Sequence, residues 1–252
     1  GAAESAATVA IGSASAVVCV TEAVAAWARL RTGTPQQVHC VANGVDTRRI
    51  RPVPGPVTGC DATIFTIGFV GTLKPWHGVE TLIDALALLA PDPAYRLLLV
   101  GDGPQAAALA GRAARLGVAD RVEATGSVDP ARMPEMLRRM DVATAPYPAI
   151  DGFYFSPLKV YEYLAAGVPV VASRVGTLPE LLRDGELGEL VRPGDAAELA
   201  RAVEALRHDP ARRARLRVAG AEAARAHDWS RVVDRCLEPV GLRLPGAGRA
   251  VA

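Results

Sequence analysis

The hydrophobic positions of this 252-residue chain fall into short aliphatic runs separated by longer amphipathic segments. Most runs lack the in-and-out alternation of a half-exposed sheet, which is typical of parallel strands covered on both faces. The predicted strands occupy residues 15–21, 64–71, 95–101, 121–126, 141–146, 168–173 and 189–193. The pattern therefore predicts a buried, parallel sheet.

Amphipathic segments alternate with these strands and predict helices at residues 79–89, 104–116, 130–140, 157–166 and 196–207. The repeated strand–helix–strand order predicts an α/β fold with a doubly wound parallel sheet. Ligands of such sheets bind outside the carboxyl ends of the strands. Any chemistry is therefore expected in the loops GTLKPWHG, GDGPQ, GSVDP and APYPAIDGFYFSP.

The two ends of the chain do not continue this pattern. Residues 1–51 carry one strand, one helix and a short second strand, and we expect them to be the remnant of another domain and its connection. A Pro- and Gly-rich linker is predicted at residues 51–59. Residues 52–210 form the predicted main domain, and residues 211–252 are predicted to be C-terminal helices that pack back towards the first segment. Because the first residue is Gly, we expect a part of a longer protein.

Composition and charge narrow the classes of function. The 28 basic and 27 acidic residues leave a formal net charge of +1, which argues against a nucleic-acid-binding protein. No apolar run approaches the roughly 20 residues that cross a bilayer, although peripheral membrane contact stays open. The scattered cysteines predict neither a metal site nor a disulfide framework. We expect them to be small core residues in a reducing, cytoplasmic compartment; they are Cys19, Cys40, Cys60 and Cys236.

The loop GTLKPWHG follows the first strand of the main domain and precedes a helix. Gly71 and Gly78 would let the backbone approach a ligand, and amides at a helix start favour an anion. Lys74 and His77 would add donors or charge beside a phosphate. The alternative is a tight turn with an exposed Lys and His, and Trp76 is expected to pack rather than to stack on a ligand.

Two further loops carry weaker signals. GDGPQA matches the GxGxxA dinucleotide fingerprint, but it follows the second strand of the domain, and Glu123 falls inside a strand. Pro104 at the first helical position accounts for this turn on structural grounds alone. In GSVDP, Asp129 is expected to cap a helix, while the backbone at Ser127 and Val128 could lie against a flat ring.

The segment DGFYFSPLKVYE contains most of the remaining chemistry. Ser156 is predicted to cap a helix whose first turn holds Pro157. The amides of Leu158 and Lys159 would then point out of the helix start towards an anion. Lys159 would neutralise phosphate charge, and Glu162, one turn deeper, would accept hydrogen bonds from vicinal hydroxyls. The alternative is a surface ion pair worth only about 0.2–0.5 kcal/mol, but the apolar residues around the pair favour a ligand.

No nucleophile–base constellation, such as GxSxG or HExxH, stands out in the sequence. Asp151 and Glu162 are both acidic, but their spacing predicts no glycosidase geometry. His208 and His227 are expected to be surface residues of the C-terminal helices.

Taken in order along the chain, these motifs resemble the retaining glycosyltransferases of family 4, which have the GT-B fold. The similar stretches are VHCVANGVDTRRIRP, IGFVGTLKPWHGVETLIDAL, YRLLLVGDGP, DRVEATGSV, SPLKVYEYLAAGVPVVAS and HDWSRVVDR, and they extend from about residue 15 to residue 240. The resemblance implies a Rossmann-like C-terminal domain that holds a nucleoside-diphosphate sugar. It faces an N-terminal acceptor domain, of which only the last strand and helix would be present here.

The resemblance also implies roles for the matching residues. Glu162 matches the glutamate that holds the donor ribose, residues 156–159 match the segment whose amides meet the diphosphate and sugar, and the backbone near Val128 matches the base-contacting loop. Lys74 and Lys159 are the catalytic candidates, since their charge would stabilise the departing diphosphate. The expected donor-binding residues are Gly71, Thr72, His77, Ser127, Val128, Tyr154, Phe155, Ser156, Pro157, Leu158 and Glu162.

Two departures from the family pattern bear on the donor. The first of the family's two glutamates would fall at Tyr154, which is not acidic, and whether Asp151 substitutes for it is open. The usual Arg and Lys of the first loop correspond to Thr72 and His77. The two lysines are then the expected fixed positive charges, and phosphate binding is expected without the standard geometry.

The predicted function is the donor-binding portion of a glycosyltransferase that moves a sugar from a nucleoside-diphosphate sugar to an acceptor with retention. No cofactor beyond this donor substrate and no metal is expected. The isolated chain is expected to transfer little or no sugar without the N-terminal acceptor domain. One alternative is a degenerate GT-B module that binds nucleotides or partners without transfer, and a third interpretation is a nicotinamide-dependent oxidoreductase based on GDGPQA.

Overall fold

The computed structural model of the protein describes residues 1–52 and 63–243. Most of the predicted linker at residues 51–59, Cys60 and the end of the predicted C-terminal region lie outside the described residues. The elements are α1 (Ala2–Ser13), β1 (Val17–Cys19), α2 (Glu22–Arg29), β2 (Val38–Cys40), β3 (Phe65–Val70), α3 (Val79–Leu89), β4 (Tyr95–Val100), α4 (Ala106–Arg115), β5 (Val122–Ala124), α5 (Met133–Arg138), β6 (Val142–Ala145), α6 (Leu158–Ala165), β7 (Val170–Ser173), α7 (Leu178–Leu181), β8 (Glu189–Val191), α8 (Ala196–His208), α9 (Pro210–Ala224) and α10 (Trp229–Leu237).

Strands β3 to β8 form a six-stranded sheet in the order β5-β4-β3-β6-β7-β8, and every pair of neighbours is parallel. The chain winds outwards from β3 to β5 and then returns to the other side of β3 with β6. This is the predicted doubly wound topology, and it is confirmed. Its switch point lies between β3 and β6, where such sheets open a crevice at the carboxyl ends of the strands.

Helices cover both faces of this sheet, which explains why its strands read as continuous apolar runs. In β3, Phe65, Ile67 and Phe69 belong to the core under α3, α4 and α8, while Val70 belongs to the core under α5, α6 and α7. The glycine inside this strand has a packing reason. A Cβ on Gly68 would lie 2.0 Å from the sulfur of Met140, which fills that space.

Residues 1–52 carry their own small sheet, in which β1 and β2 pair in parallel. Its core consists of Cys19, Ala25, Ala28 and Val38. Cys19 is therefore a core residue as expected, but the same expectation is wrong for Cys40, which is exposed. Helix α1 was not predicted; it buries none of its residues, and its weakly amphipathic sequence gave no clear periodic signal.

The C-terminal helices contact the connection that follows β2. The amide of Val45 donates to the carbonyl of His227 at 2.8 Å, and the amide of Trp229 donates back to the carbonyl of Val45 at 3.2 Å. Asp228 accepts hydrogen bonds from Ser230 and Thr47; although burial opposes them, these bonds lower the pKa of Asp228 to about 2. His227 is half-buried, so the expectation of a surface residue is wrong for this histidine.

Within residues 1–52 and 63–243, no helix combines the length and the apolar composition that a bilayer crossing requires.

Candidate functional site

The candidate site lies where β3 and β6 separate. These strands pair only at Ile67–Val142 and Gly68–Ala143, so their last residues diverge. We call residues 71–78, which follow β3, the first loop, and residues 146–157, which follow β6, the second loop. Helix α6 begins directly after the second loop, and its N-terminal end is therefore directed at the crevice between the two loops.

The first loop is held by backbone contacts with the segment GDGPQ. The amide of Leu73 donates to the carbonyl of Asp102 at 2.9 Å, and the amide of Gln105 donates to the carbonyl of Leu73 at 3.1 Å. Gly101 has φ +135°, and a Cβ there would lie 2.2 Å from the carbonyl oxygen of Gly71. The glycines of GDGPQ thus have a structural reason, which is to let two loops pack backbone against backbone.

The sequence offered Glu123 as the acidic residue of a dinucleotide fingerprint. The carboxylate of Glu123 accepts a hydrogen bond from Arg139 at 2.5 Å and lies at an exposed position on β5. An exposed ion pair with Arg139 accounts for this carboxylate, so Glu123 adds no support for a ribose ligand.

Lys159 lies at the centre of the crevice. It is 8% exposed, and its ammonium nitrogen has no hydrogen-bond partner among the described residues. The Nζ atom lies 4.0 Å from the ring centroid of Phe69 and 5.3 Å from that of Tyr147. Because Phe69 belongs to the core of the opposite sheet face, Lys159 extends from α6 through the gap between β3 and β6. Gly71 leaves room for it, since a Cβ at Gly71 would lie 2.9 Å from Nζ.

The environment of Lys159 weakens its charge. Burial lowers the pKa of Lys159 to about 7, and the Glu162 carboxylate opposes this shift. Burial therefore weakens the fixed positive charge that was expected of this lysine near neutral pH. An anion that entered the crevice would favour the protonated form.

His77 lies beside Lys159 and is a neutral residue. Burial first, and the Lys159 charge second, lower the pKa of His77 to about 4, although a hydrogen bond with the Thr72 carbonyl opposes them. A carbonyl oxygen can only accept, so the Nδ1 atom of His77 carries the proton and Nε2 is left as an acceptor. His77 thus cannot supply the charge of the lysine that the family has at this position.

Glu162 lies one turn further along α6 and is half-buried. Burial raises its pKa, whereas the positive charges of Arg49 and then Lys159 lower it. Arg49 comes from the connection after β2, and its guanidinium donates to the carbonyl of Pro130 at 3.3 Å, in the loop after β5. No local pattern around Arg49 indicated this role, because its neighbours here are about 80 and 110 residues away along the chain.

The second loop is held by aromatic side chains. The rings of Tyr147 and Phe153 lie 5.2 Å apart, as do those of Phe153 and Phe155, and both pairs are edge-to-face. Phe153 also occupies the space beside Gly176, where a Cβ would lie 2.1 Å from its ring. The ring of His77 joins this group at 5.7 Å from that of Tyr147, so the aromatic cluster connects the two loops.

Residues of the N-terminal segment also hold the second loop. The Thr21 hydroxyl donates to the carbonyl of Tyr154 at 3.1 Å, and the side-chain amide of Asn43 donates to the carbonyl of Ser156 at 3.5 Å. The side chain of Tyr154 itself is 56% exposed and stacks on Phe155 with 4.5 Å between ring centroids. Where the family has its first glutamate, this loop exposes the aromatic ring of Tyr154 instead.

The start of α6 differs from the prediction in one respect. The capping residue is Pro157, which has no side-chain donor or acceptor, and Ser156 precedes it, so the predicted Ser156 cap is wrong. The amide of Val160 bonds to the carbonyl of Pro157 at 3.0 Å. The amides of Leu158 and Lys159 precede the first intrahelical bond, and their binding of an anion stays a prediction.

The remaining predicted residues lie at the rim of the crevice. Asp129 caps the short turn Pro130–Arg132 by accepting from the amide of Ala131 at 2.8 Å, which confirms its capping role. Ser127 is exposed, and Val128 is half-buried against the core under α5 and α6. Trp76 lies at the edge of the aromatic cluster, with its ring centroid 6.2 Å from that of His77, and it is 42% exposed. Nζ of Lys74 is 5.5 Å from the Trp76 ring.

The comparisons with known proteins agree with this geometry. A family model described as Glycosyl transferases group 1 matches residues 64–209. A D-inositol 3-phosphate glycosyltransferase from Segniliparus rotundus is 30% identical over 225 residues, which cover 86% of this chain and 49% of that protein. A phosphatidyl-myo-inositol mannosyltransferase from Mycobacterium leprae is 36% identical over 199 residues, which cover 78% of this chain and 51% of that protein.

Two solved structures show the same architecture. Anabaena Alr3699/HepE, in complex with UDP and glucose, has a TM-score of 0.79 at 25% identity, covering 91% of this chain and 64% of that one. The C-terminal domain of the LpcC group 1 glycosyl transferase from Francisella tularensis has a TM-score of 0.61 at 22% identity, covering 73% of this chain and 97% of that one. The latter likeness concerns the fold alone.

The fold and the crevice match those of the C-terminal domain of a GT-B protein. The chain belongs to the group 1 glycosyl transferases, glycosyltransferase family 4. It spans about half the length of the curated relatives it matches.

Proposed function

We propose that this chain is the donor-binding portion of a retaining glycosyltransferase that uses a nucleoside-diphosphate sugar. The observation that carries the proposal is the Lys159 ammonium. It is buried, has no hydrogen-bond partner among the described residues, and points into the crevice at the start of a helix. A buried charge without a partner is costly, and a diphosphate would supply the partner.

The neighbouring groups suit the other parts of such a donor. The amides of Leu158 and Lys159 offer hydrogen bonds to phosphate oxygens at the positive end of α6. Burial raises the pKa of Glu162, and Arg49 and Lys159 oppose that shift; its carboxylate would accept hydrogen bonds from the two ribose hydroxyls. The backbone at Ser127 and Val128 would lie against the base, on the same side of the crevice as Arg49.

The catalytic contribution of these residues would be electrostatic. Departure of a nucleoside diphosphate places negative charge beside Lys159 and the helix-start amides, and preorganised donors of this kind are usually the largest catalytic term. Lys74 lies further out in the first loop, where it could follow the departing phosphate. Transfer would also need an acceptor domain, and we expect it from the longer protein rather than from these residues alone.

Isothermal titration calorimetry with UDP-, GDP- and ADP-sugars tests this function, and UDP-glucose is the first probe because a solved relative holds UDP and glucose. We expect Lys159→Ala to weaken binding at least tenfold, since hydrogen bonds to charged groups contribute roughly 1.5–3 kcal/mol. Glu162→Gln should weaken binding of the intact donor. Failure of all three donors to bind would refute the proposal.

A matched control separates ribose recognition from general loss of a buried carboxylate. Glu189 is also half-buried, and burial raises its pKa, but it pairs with Arg212 on the edge strand β8. We expect Glu189→Gln to leave donor affinity unchanged. Equal losses in the two variants would show that Glu162 has no specific contact with the donor.

A second function, nucleotide binding without sugar transfer, is favoured by one observation. The family's first glutamate is replaced by Tyr154, whose carbonyl is engaged by Thr21 and whose ring stacks on Phe155. Calorimetry distinguishes the two functions. Equal affinity for UDP and UDP-glucose in every variant would indicate that the sugar makes no contact, whereas a difference that Tyr154→Ala removes would place the sugar beside this loop.

A further inference from the structure

The gap between β3 and β6 leaves backbone groups that the sheet does not satisfy. The last paired residues are Gly68 and Ala143, yet β3 continues to Val70 inside the core. The amide of Val70 has no partner strand at this side, and a buried amide without a partner costs roughly 1–3 kcal/mol. The strand end therefore needs a side chain from elsewhere.

Tyr163 of α6 supplies it. Its hydroxyl accepts a hydrogen bond from the Val70 amide at 2.8 Å and donates to the carbonyl of Thr144 in β6 at 3.4 Å. Tyr163 is fully buried, at 0% exposure. A second bridge, from the Thr144 hydroxyl to the carbonyl of Gly68 at 2.8 Å, joins the same two strands without involving α6.

Tyr163 and Lys159 stand four residues apart on α6 and therefore lie on the same face of the helix. Their contacts fall on consecutive residues at the end of β3. Lys159 lies over the ring of Phe69 and under Gly71, and Tyr163 binds the residue between them, Val70. A helix attached at this point cannot rotate or slide without moving the Lys159 amine.

We propose that Tyr163 is a positioning residue for Lys159, because its hydroxyl fixes the depth and rotation of α6 at the sheet gap. Tyr163 does not touch the donor. It acts by holding α6, and therefore the Lys159 amine, in position. Its effect on diphosphate binding rests on the proposed function, whereas its effect on the amine does not. The two can therefore be tested separately.

The first measurement follows Lys159 directly in Tyr163→Phe. The chain has only two lysines, Lys74 and Lys159, so reductive methylation with ¹³C-formaldehyde and a borohydride gives one NMR signal for each lysine besides that of the terminal amine. Groups that face Lys159 are Glu162 and Tyr163 on α6, His77 in the first loop and Tyr147 in the second. We expect the pKa of Lys159 to rise towards the ordinary lysine value in Tyr163→Phe, because a displaced α6 exposes the amine to water.

Thr144→Val is the matched control. It removes the hydroxyl that bonds to the Gly68 carbonyl across the same gap, and it keeps the Thr144 carbonyl that accepts from Tyr163. We expect it to lower thermal stability as Tyr163→Phe does and to leave the pKa of Lys159 unchanged. If both variants move the lysine equally, or neither does, Tyr163 has no positioning role.

The second measurement compares UDP with uridine by calorimetry. We expect Tyr163→Phe to weaken UDP about tenfold and uridine by less than twofold, since only UDP has the diphosphate that Lys159 would meet. In the Lys159→Met background the effect of Tyr163→Phe on UDP should vanish. Equal loss for UDP and uridine would overturn the proposal, whereas absence of any UDP binding in the wild type would refute the proposed function and leave the NMR test standing.

A third measurement needs no variant, should Tyr163→Phe fail to fold. Coupling between two sites is reciprocal, so a ligand that needs the positioned amine must also stabilise the bond that positions it. We expect UDP to slow hydrogen exchange at the Val70 amide more than at the Ile67 amide, which belongs to the regular ladder. Unchanged exchange at Val70 in saturating UDP would count against the proposal.

Discussion

The two loops of the crevice are held in different ways. The first loop is supported by backbone hydrogen bonds and glycine contacts with GDGPQ, a segment about 30 residues further along the chain. The second loop is supported by aromatic packing and by Thr21 and Asn43, which precede it by more than 110 residues. One loop is thus built within the main domain, and the other depends on the N-terminal segment as well.

This difference indicates where each loop is sensitive. Backbone-to-backbone contact tolerates no added side chain, so the first loop should fail sharply when a glycine is replaced. Aromatic contacts and single hydrogen bonds can be lost one at a time, so the second loop should weaken gradually. Lys159 contacts both loops, at Gly71 and at Tyr147, so a change in either loop should alter the surroundings of its amine.

The largest expected effect is on stability in Gly101→Ala. This substitution combines φ +135° with a Cβ placed 2.2 Å from the Gly71 carbonyl oxygen. We expect a loss of several kcal/mol, measured by urea unfolding. Gly117→Ala is the control, because Gly117 has φ +70° and open space around it, and it should cost only about 1–2 kcal/mol. Equal costs would show that the first loop does not depend on close backbone approach.

A smaller effect, on the order of a few kcal/mol, is expected from Lys159→Met. The folded-state pKa of Lys159 is about 7 against an ordinary 10.5, so between these values the unfolded chain binds one more proton than the folded one. Stability of the wild type should therefore rise as pH increases from 7 to 10.5. The variant should be more stable than the wild type below pH 7, with the gain shrinking as pH rises.

Thermal unfolding of both proteins across this pH range checks the prediction. Lys74→Met serves as the control, since Lys74 is partly exposed beside Trp76 and its removal should change stability little at any pH. A stability difference between wild type and Lys159→Met that stays constant with pH would contradict the buried, partnerless amine.

Donor affinity should depend on pH in the opposite direction. If UDP binds the protonated form of Lys159, its affinity falls up to tenfold for each pH unit above about 7. Calorimetry in buffers of different ionisation enthalpy should then show proton uptake on binding. Lys159→Arg stays protonated and should abolish the uptake while keeping part of the affinity. An uptake that persists in this variant would assign the proton to another group.

The smallest effect concerns the second loop. Thr21→Val removes the hydrogen bond to the Tyr154 carbonyl and the cap that Thr21 provides for the amide of Val24. We expect a cost of about 1 kcal/mol in stability and a two- to fivefold loss of UDP-glucose affinity. Ser13→Ala, which removes an exposed hydroxyl bonded to Val9, is the control. Unchanged affinity in Thr21→Val would show that the N-terminal segment does not position this loop.

Much of the fold could be predicted because its signals are local. The continuous apolar runs of β3 and β4 and the amphipathic helices between them reflect burial on both sheet faces, and glycine-rich turns follow the strands at the switch point. Predicted strand ends differ from the structure by at most two residues, for example residues 121–126 against β5 (Val122–Ala124). The ends of a strand depend on where its hydrogen bonds to the neighbouring strand stop, and hydrophobicity does not show that point.

The candidate site was predictable only in part. Lys159 and Glu162 stand out because charges inside an apolar helix are unusual, and the family resemblance assigned them to one ligand. The weakened charge of Lys159 and the neutral state of His77 were not predictable, since both follow from burial among Phe69 and Tyr147. The failed Ser156 cap has the same origin, because Pro157 takes the capping position in the folded loop.

Local periodicity and residue type thus set the order of strands and helices, the loops that could carry chemistry, and the helix that bears Lys159. The tertiary structure decided which groups meet there. Val70 and Tyr163 are 93 residues apart, and Thr21 and Tyr154 are 133 apart. Local sequence patterns therefore predict neither hydrogen bond. Burial and hydrogen bonding depend on such distant partners, and they alone determine the protonation of Lys159 and the position of its helix.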